Sequence, residues 1–204
     1  MKRLATLLAI LAFLPGPAWA QPPFSFNEVK PAQEVDADGK IEVLEFFWYG
    51  CIHCYNLEPV IEKWEKNRPA DVRFRRVPVV FDGRTQRDAP FYYAFEALGL
   101  VDKLHRPFFD AIHKDGLRLD NTNAVNEWLQ KNGVDPKKFN DTIKSFGVQS
   151  KLRRAQQMTI AYKIEGTPTM AVQGRYTVAA ENARSPEGML KTVDHLVETL
   201  RKQK

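Results

Sequence analysis

Cys51 and Cys54 are the only two cysteines of the 204-residue chain, and they stand three positions apart in the run Gly50-Cys51-Ile52-His53-Cys54-Tyr55. Thiols at this spacing support three kinds of chemistry: thiol-disulfide exchange, a structural disulfide, or half of a zinc site. Exchange needs one exposed thiol with a stabilised thiolate and a second thiol close enough to pair with it. Cys51 suits the first role if a helix begins there, because unpaired N–H groups and the neighbouring His53 both favour an anion. Cys54, one turn inside such a helix, is close enough to pair and is expected to be covered. A structural disulfide is the competing reading, although closing so short a loop constrains the unfolded chain very little. Zinc would need two further Cys or His ligands at a short spacing of their own, whereas His105 and His113 are eight apart and His195 stands alone.

These residues need elements to hold them. Residues 41–49 are apolar on both alternating faces after Glu42, as in a central strand covered on both sides. Glu45 is the one acid trapped in that run. It is either a strand glutamate paired to a lysine or a buried carboxyl with a raised pKa that can exchange a proton with Cys54. Gly50 ends the strand. Leu57, Val60, Ile61 and Trp64 then mark an amphipathic helix over residues 51–66, with Pro59 expected to kink it. Glu58, one turn past Cys54, reads as a solvated helix residue. Residues 71–80 make a second strand, with Arg73, Arg75 and Arg76 at the spacing of a solvated strand face. Strand, motif, helix and strand form a βαβ unit with the motif at the carboxyl end of its first strand, where open α/β sheets place their sites.

The next strand signal comes only at residues 169–172, although a complete βαβ unit takes about 30 residues. The intervening sequence carries helical stripes: Phe91, Tyr92, Phe95 and Leu98, then Leu104, Phe108 and Ile112, then Val125, Trp128 and Leu129. Glycines 99, 116, 133 and 147 fall near the expected helix ends, and Asp135-Pro136 has the form of an N-cap followed by proline. Residues 83–150 are therefore an inserted all-helical subdomain. A helix over 149–164 returns the chain to a hairpin turning at Gln173-Gly174. A C-terminal amphipathic helix opens at Ser185-Pro186 and covers one face of the sheet.

Residues 1–20 have the form of a secretory signal peptide: Lys2 and Arg3, an apolar run from Leu4 to Leu14, and Ala18-Trp19-Ala20 as the cleavage site. Export places the cysteines where disulfides form and persist. Removal of this segment lowers the formal charge of +5 by two, a mild surplus. Without stacking aromatics among the arginines, nucleic-acid binding is not expected.

Residues 43–47 (Val-Leu-Glu-Phe-Phe), 50–55 and 166–169 (Gly-Thr-Pro-Thr) together resemble the DsbA family of bacterial periplasmic thiol:disulfide oxidoreductases, over essentially the whole mature chain. The resemblance implies a thioredoxin-like α/β fold built from residues 21–82 and 151–204, interrupted by the helical subdomain 83–150. It implies that Cys51 is the nucleophile, Cys54 the resolving cysteine, His53 the residue that stabilises the thiolate and Glu45 the buried acid. Pro168 matches the cis-proline that faces the motif and Thr167 the residue before it, where an extended client adds as a strand. Ile52 stands where many members carry proline, so it bears on both client contact and redox potential. A low-pKa cysteine and a strongly oxidising disulfide are implied as well, DsbA being the standard example of both. No cofactor is expected. The implied partners are unfolded, reduced exported proteins and a DsbB-like membrane quinone reductase as reoxidant, with the chain itself a monomer. A reductase or isomerase of the same fold, or a binding protein with a structural disulfide, is the alternative.

Overall fold

A computed structural model describes residues 24–35 and 37–203; the expected signal peptide lies outside them. Five described strands, β1 (Asn27–Glu28), β2 (Ile41–Phe47), β3 (Val72–Pro78), β4 (Thr169–Val172) and β5 (Tyr176–Ala179), form a sheet ordered β1-β5-β4-β2-β3. β2 and β3 run parallel across helix α1 (Ile52–Asn67), while the other pairings are antiparallel. The βαβ unit is thus central, and every residue of β2 is buried. That matches its nearly unbroken apolar sequence.

The two faces of the sheet are covered differently. Ile41 and Val43 of β2, with Met170, Val172 and Val178, pack against Leu57 and Ile61 of α1 and against α7 (Pro186–Arg201). Ser185 caps α7 by accepting from the Gly188 N–H, with Pro186 at the first helical position. On the opposite face Leu44 and Phe46 join a larger aromatic core that also takes in Phe47, Tyr49 and Cys54 at the end of β2 and the start of α1. It is supplied by α2 (Gly83–Ala97), α3 (Val101–His113), α4 (Thr122–Lys131), α5 (Pro136–Lys144) and α6 (Phe146–Ala161).

Several local details depart from the sequence expectation. β2 stops at Phe47, two residues early, because Trp48 turns the chain and its carbonyl accepts from the Cys51 N–H at 3.0 Å. α6 begins at Phe146 instead of 149, because the Ser145 hydroxyl caps it by accepting from the Val148 N–H. The expected subdomain boundary at 150/151 therefore falls inside a helix. In the hairpin, Gln173 and Gly174 both take positive φ, and Val172 pairs with Tyr176, so Arg175 joins the loop. Its carbonyl accepts from the Val29 N–H, and a Cβ on Gly174 would lie 2.2 Å from the Gln33 carbonyl oxygen. Close approach of the N-terminal arm thus shapes this turn and requires glycine there. No described helix is long and apolar enough to cross a membrane.

Candidate active site

Cys51 is the N-cap of α1, with extended backbone and no acidic residue in the turn that follows. The turn leading to it is closely packed. The Trp48 indole lies over Gly50, where a Cβ would come within 2.3 Å of the ring, and its Nε1–H donates to Asp88 Oδ2 of α2 at 2.8 Å. α3 holds the same turn from the other side: His113 Nε2 lies 2.8 Å from the Tyr49 carbonyl oxygen, and the Tyr55 hydroxyl donates to Asp110 Oδ1 at 2.8 Å. The Tyr55 and His113 rings stack at 4.9 Å. Both cysteines are thiols. Cys51 is half-buried, with Sγ 3.2 Å from the Thr167 carbonyl oxygen, while Cys54 is fully buried beneath it.

The two thiols are pushed in opposite directions. A hydrogen bond from Cys54 is the largest influence on Cys51; against partial burial it combines with the Thr167 side chain and the Cys54 and His53 backbone N–H groups to bring the Cys51 thiol down to about 5. Burial, reinforced by the Cys51 sulfur and by Glu45, pushes the Cys54 thiol well above its ordinary range. A stable thiolate on one sulfur and a thiol on the other is the division of labour that exchange requires.

Beneath the cysteines lies a buried polar cluster. The parallel register places Glu45 of β2 beside Arg76 of β3, with Arg76 Nε 3.1 Å from Glu45 Oε2. Among the described residues this ion pair is the one polar contact to Glu45, whose other oxygen is buried without a hydrogen-bond partner. Arg76 also donates to Glu58 Oε2 at 3.2 Å. Glu58 Oε1 lies 3.0 Å from His105 Nε2, and His105 Nδ1 lies 2.8 Å from the Tyr49 hydroxyl. Burial and then the Glu58 charge raise Glu45 to about 8, against Arg76. Glu58, although its own burial works the other way, is held at about 2 by His105 and Arg76.

The residues singled out from sequence divide between mouth and floor. Cys51, His53 and Thr167 gather at the surface around the buried Pro168, with the Thr167–Pro168 bond cis. His53, Thr167 and Pro168 line a groove of about 420 Å³ whose floor includes Thr169 and Thr177. The His53 side chain is exposed, and its backbone N–H is what acts on Cys51. Ile52 is 48% exposed at the rim. Glu45 is at the floor. Among the described residues no three His, Cys, Asp or Glu side chains are grouped as metal ligands.

Two expectations are corrected here. Glu58 is not a solvated helix residue: it is 0% exposed, because it falls on the face of α1 turned toward Arg76 and His105. Arg76 does not belong to a solvated strand face, since alternation along β3 turns it inward beneath α1 while its neighbour Arg75 turns to Glu42 on the other side. Tyr49, His105, His113 and Asp110 were not singled out for the site at all. The available signals were the position of Glu58 one turn after Cys54 and a histidine, His105, flanked by Leu104 and Phe108 in an apolar stripe.

Known proteins resemble this chain over most of its length. The model of a DSBA-like thioredoxin domain matches residues 42–193. The thiol:disulfide interchange protein DsbA of Burkholderia cepacia is 40% identical over 209 residues, taking in 100% of this chain and 99% of its own length. Its counterpart in Azotobacter vinelandii is 43% identical over 160 residues, 78% of this chain and 75% of that protein. The crystal structure of Pseudomonas aeruginosa DsbA superimposes with a TM-score of 0.83 at 37% identity, covering 87% of this chain and 93% of that one. Sequence and backbone agree across both the sheet and the inserted helices, and the chain belongs to the DsbA family of thiol:disulfide oxidoreductases.

Proposed function

We propose that this oxidoreductase works as an oxidase in the periplasm, donating its Cys51–Cys54 disulfide to newly exported, still unfolded proteins through a mixed disulfide. A client thiolate attacks Cys51 Sγ, the sulfur at the surface. Cys54 leaves with the electron pair and takes a proton, for which the Glu45 carboxyl is the donor beneath it. A second client thiol then releases Cys51 as its stabilised thiolate, whereas attack by Cys54 returns the client unchanged. His53 and Ile52 border the approach. Thr167 and Pro168 present the edge on which an extended client segment lies in the groove. A DsbB-like membrane quinone reductase restores the disulfide, and the chain acts as a monomer whose residues 83–150 form the inserted helical unit.

The observation that carries the oxidase direction is the environment of Cys51. Hydrogen bonds that favour its thiolate favour the dithiol form over the disulfide, because oxidation removes the anion they stabilise. The reduced protein should therefore be the more stable one. Equilibration with glutathione tests this. An oxidase disulfide is reduced at low ratios of reduced to oxidised glutathione; resistance would indicate a reductase, and failure to exchange a structural bridge. In the same assay Cys51→Ser should show no oxidation of a reduced test protein, and retained activity would remove Cys51 from the mechanism.

A further inference from the structure

The buried cluster holds more ionisable groups than charge balance allows. Glu45, Glu58 and His105 are buried together with Arg76, whose side chain is 9% exposed. Arg76 is the only permanent cation among these four, and it faces both buried carboxyl groups as well as the solvent-accessible Glu65 at 3.5 Å. Burying a second carboxylate without a second cation is costly, so the pair keeps one proton. The donors aimed at each carboxyl decide which one keeps it. Glu58 has hydrogen-bond distance to Arg76 on one oxygen and to His105 on the other, whereas Glu45 has only the Arg76 Nε at 3.1 Å beside one oxygen and no donor at the other.

We propose that His105 is a positioning residue for the exchange reaction: it donates its Nε2–H to Glu58 and accepts the Tyr49 hydroxyl at Nδ1, keeps Glu58 ionised, and so leaves the proton of the buried pair on Glu45, the carboxyl that acts on Cys54. A carboxylate can only accept, so Nε2 must carry the hydrogen. Tyr49, held between Gly50 and β2, completes the ring's hydrogen bonding as donor, and His105 stays neutral. The groups facing His105 are Tyr49 from the active-site turn, Glu58 and Glu62 from α1, Arg76 from β3 and Tyr92 from α2. Burial, the largest influence, lowers the affinity of His105 for a second proton against the pull of Glu58. The groups that act on Glu45 are Glu58, Arg76 and Glu65, and Glu45 acts in turn on Cys54.

This inference rests on the reading of Glu45 as the proton donor. In that step the client sulfur bonds to Cys51 Sγ, the Cys51–Cys54 bond breaks, and its electron pair stays on Cys54 Sγ. The Glu45 proton moves to that sulfur, and the resulting carboxylate lies against Arg76. Without a donor from His105, Glu58 becomes the easier carboxyl to protonate, Arg76 is freed toward Glu45, and the proton moves away from the cysteine.

The test is a carbon-13 NMR titration of the glutamate side-chain carboxyls in the full chain as dithiol, assigned with Glu45→Gln and Glu58→Gln. His105→Leu should lower the Glu45 midpoint by about one pH unit or more and raise that of Glu58. His105→Gln, which retains an amide donor toward Glu58, should restore the wild-type order. An unchanged Glu45 midpoint in His105→Leu, or no rescue by glutamine, overturns the proposal. Nitrogen-15 spectra of the unmutated protein give a second measurement if a variant fails to fold. A neutral His105 protonated at Nε2 supports the proposal at neutral pH, and an imidazolium or an Nδ1–H tautomer overturns it. The Glu45 reading fails separately, if Glu45→Gln leaves the rate and pH profile of disulfide reduction by a client thiol unaltered.

Discussion

At the scale of single residues, the site works by making two chemically identical thiols unequal. Cys51 at the mouth is offered hydrogen bonds and Cys54 at the floor is denied water. The consequence for stability has a definite sign. In the unfolded chain Cys51 titrates at roughly 8.5, and in the folded dithiol at about 5. The folded state therefore binds fewer protons between these values, and its stability rises with pH across that window. That stabilisation is fully present above the unfolded value and is lost as pH falls through the folded one. The disulfide form has no such thiol. Thermal melting of both forms at a series of pH values should show the dithiol's advantage widening from about pH 5 to 8.5, and a constant gap would contradict the assignment. Glu45 is present in both forms, so its contribution largely cancels from this difference.

At the scale of elements, the parallel pairing of β2 with β3 and the seating of α3 do most of the positioning. Register alone sets Arg76 opposite Glu45, and α1 brings Glu58 down onto the same guanidinium. Arg76→Met should be strongly destabilising, because removing one partner of a buried ionic group leaves uncompensated charge; the expected cost is about 3–5 kcal/mol at neutral pH. Denaturant unfolding measures it. The deficit should shrink as pH is lowered, since Glu58 loses the cation that helps hold it at about 2 and can then be neutralised. A loss that is small, or equally large in acid, would show that Arg76 does not balance these carboxyls. α3 has a comparable role: three of its side chains, His105, Asp110 and His113, bond to the residues on either side of Gly50 and Cys51.

At the scale of the whole molecule, the core divides into an aliphatic cluster under α7 and an aromatic cluster built with the inserted helices. The insertion is more than an appendage, because α2 and α3 supply Asp88, His105, Asp110 and His113 around the motif. Phe108 lies at the centre of that core, with its ring 4.8 Å from Tyr49, 5.3 Å from Phe91 and 5.0 Å from Trp128. Phe108→Ala should cost about 3–5 kcal/mol in a denaturation experiment. Because Phe108 packs directly on Tyr49, the same variant should also raise the Cys51 thiol toward its ordinary range, read by thiolate absorbance in the ultraviolet. A destabilised variant with an unaltered titration would separate the helical core from the chemistry.

The linear sequence was sufficient for the parts of this protein governed by short-range rules. The alternating apolar run of β2, the cysteine pair at a helix start, the capping residues Ser185 and Asp135 and the helical stripes between β3 and β4 each lie within a few turns of chain, and each was legible there. Thr167 and Pro168 were placed beside the motif only through the family resemblance, since 116 positions separate Thr167 from Cys51. What the sequence left undecided is which polar residues face inward. Glu58 and Arg76 look like ordinary surface charges, and become buried ions only because β2 and β3 pair in one register and α1 lies across them. His105 joins them through the packing of α3, 47 positions from Glu58 and 56 from Tyr49. Local patterning chooses elements because backbone hydrogen bonding and apolar spacing act over a few residues. Charge balance in a core depends on which side chains are brought within a few ångströms of one another, and only the tertiary structure decides that.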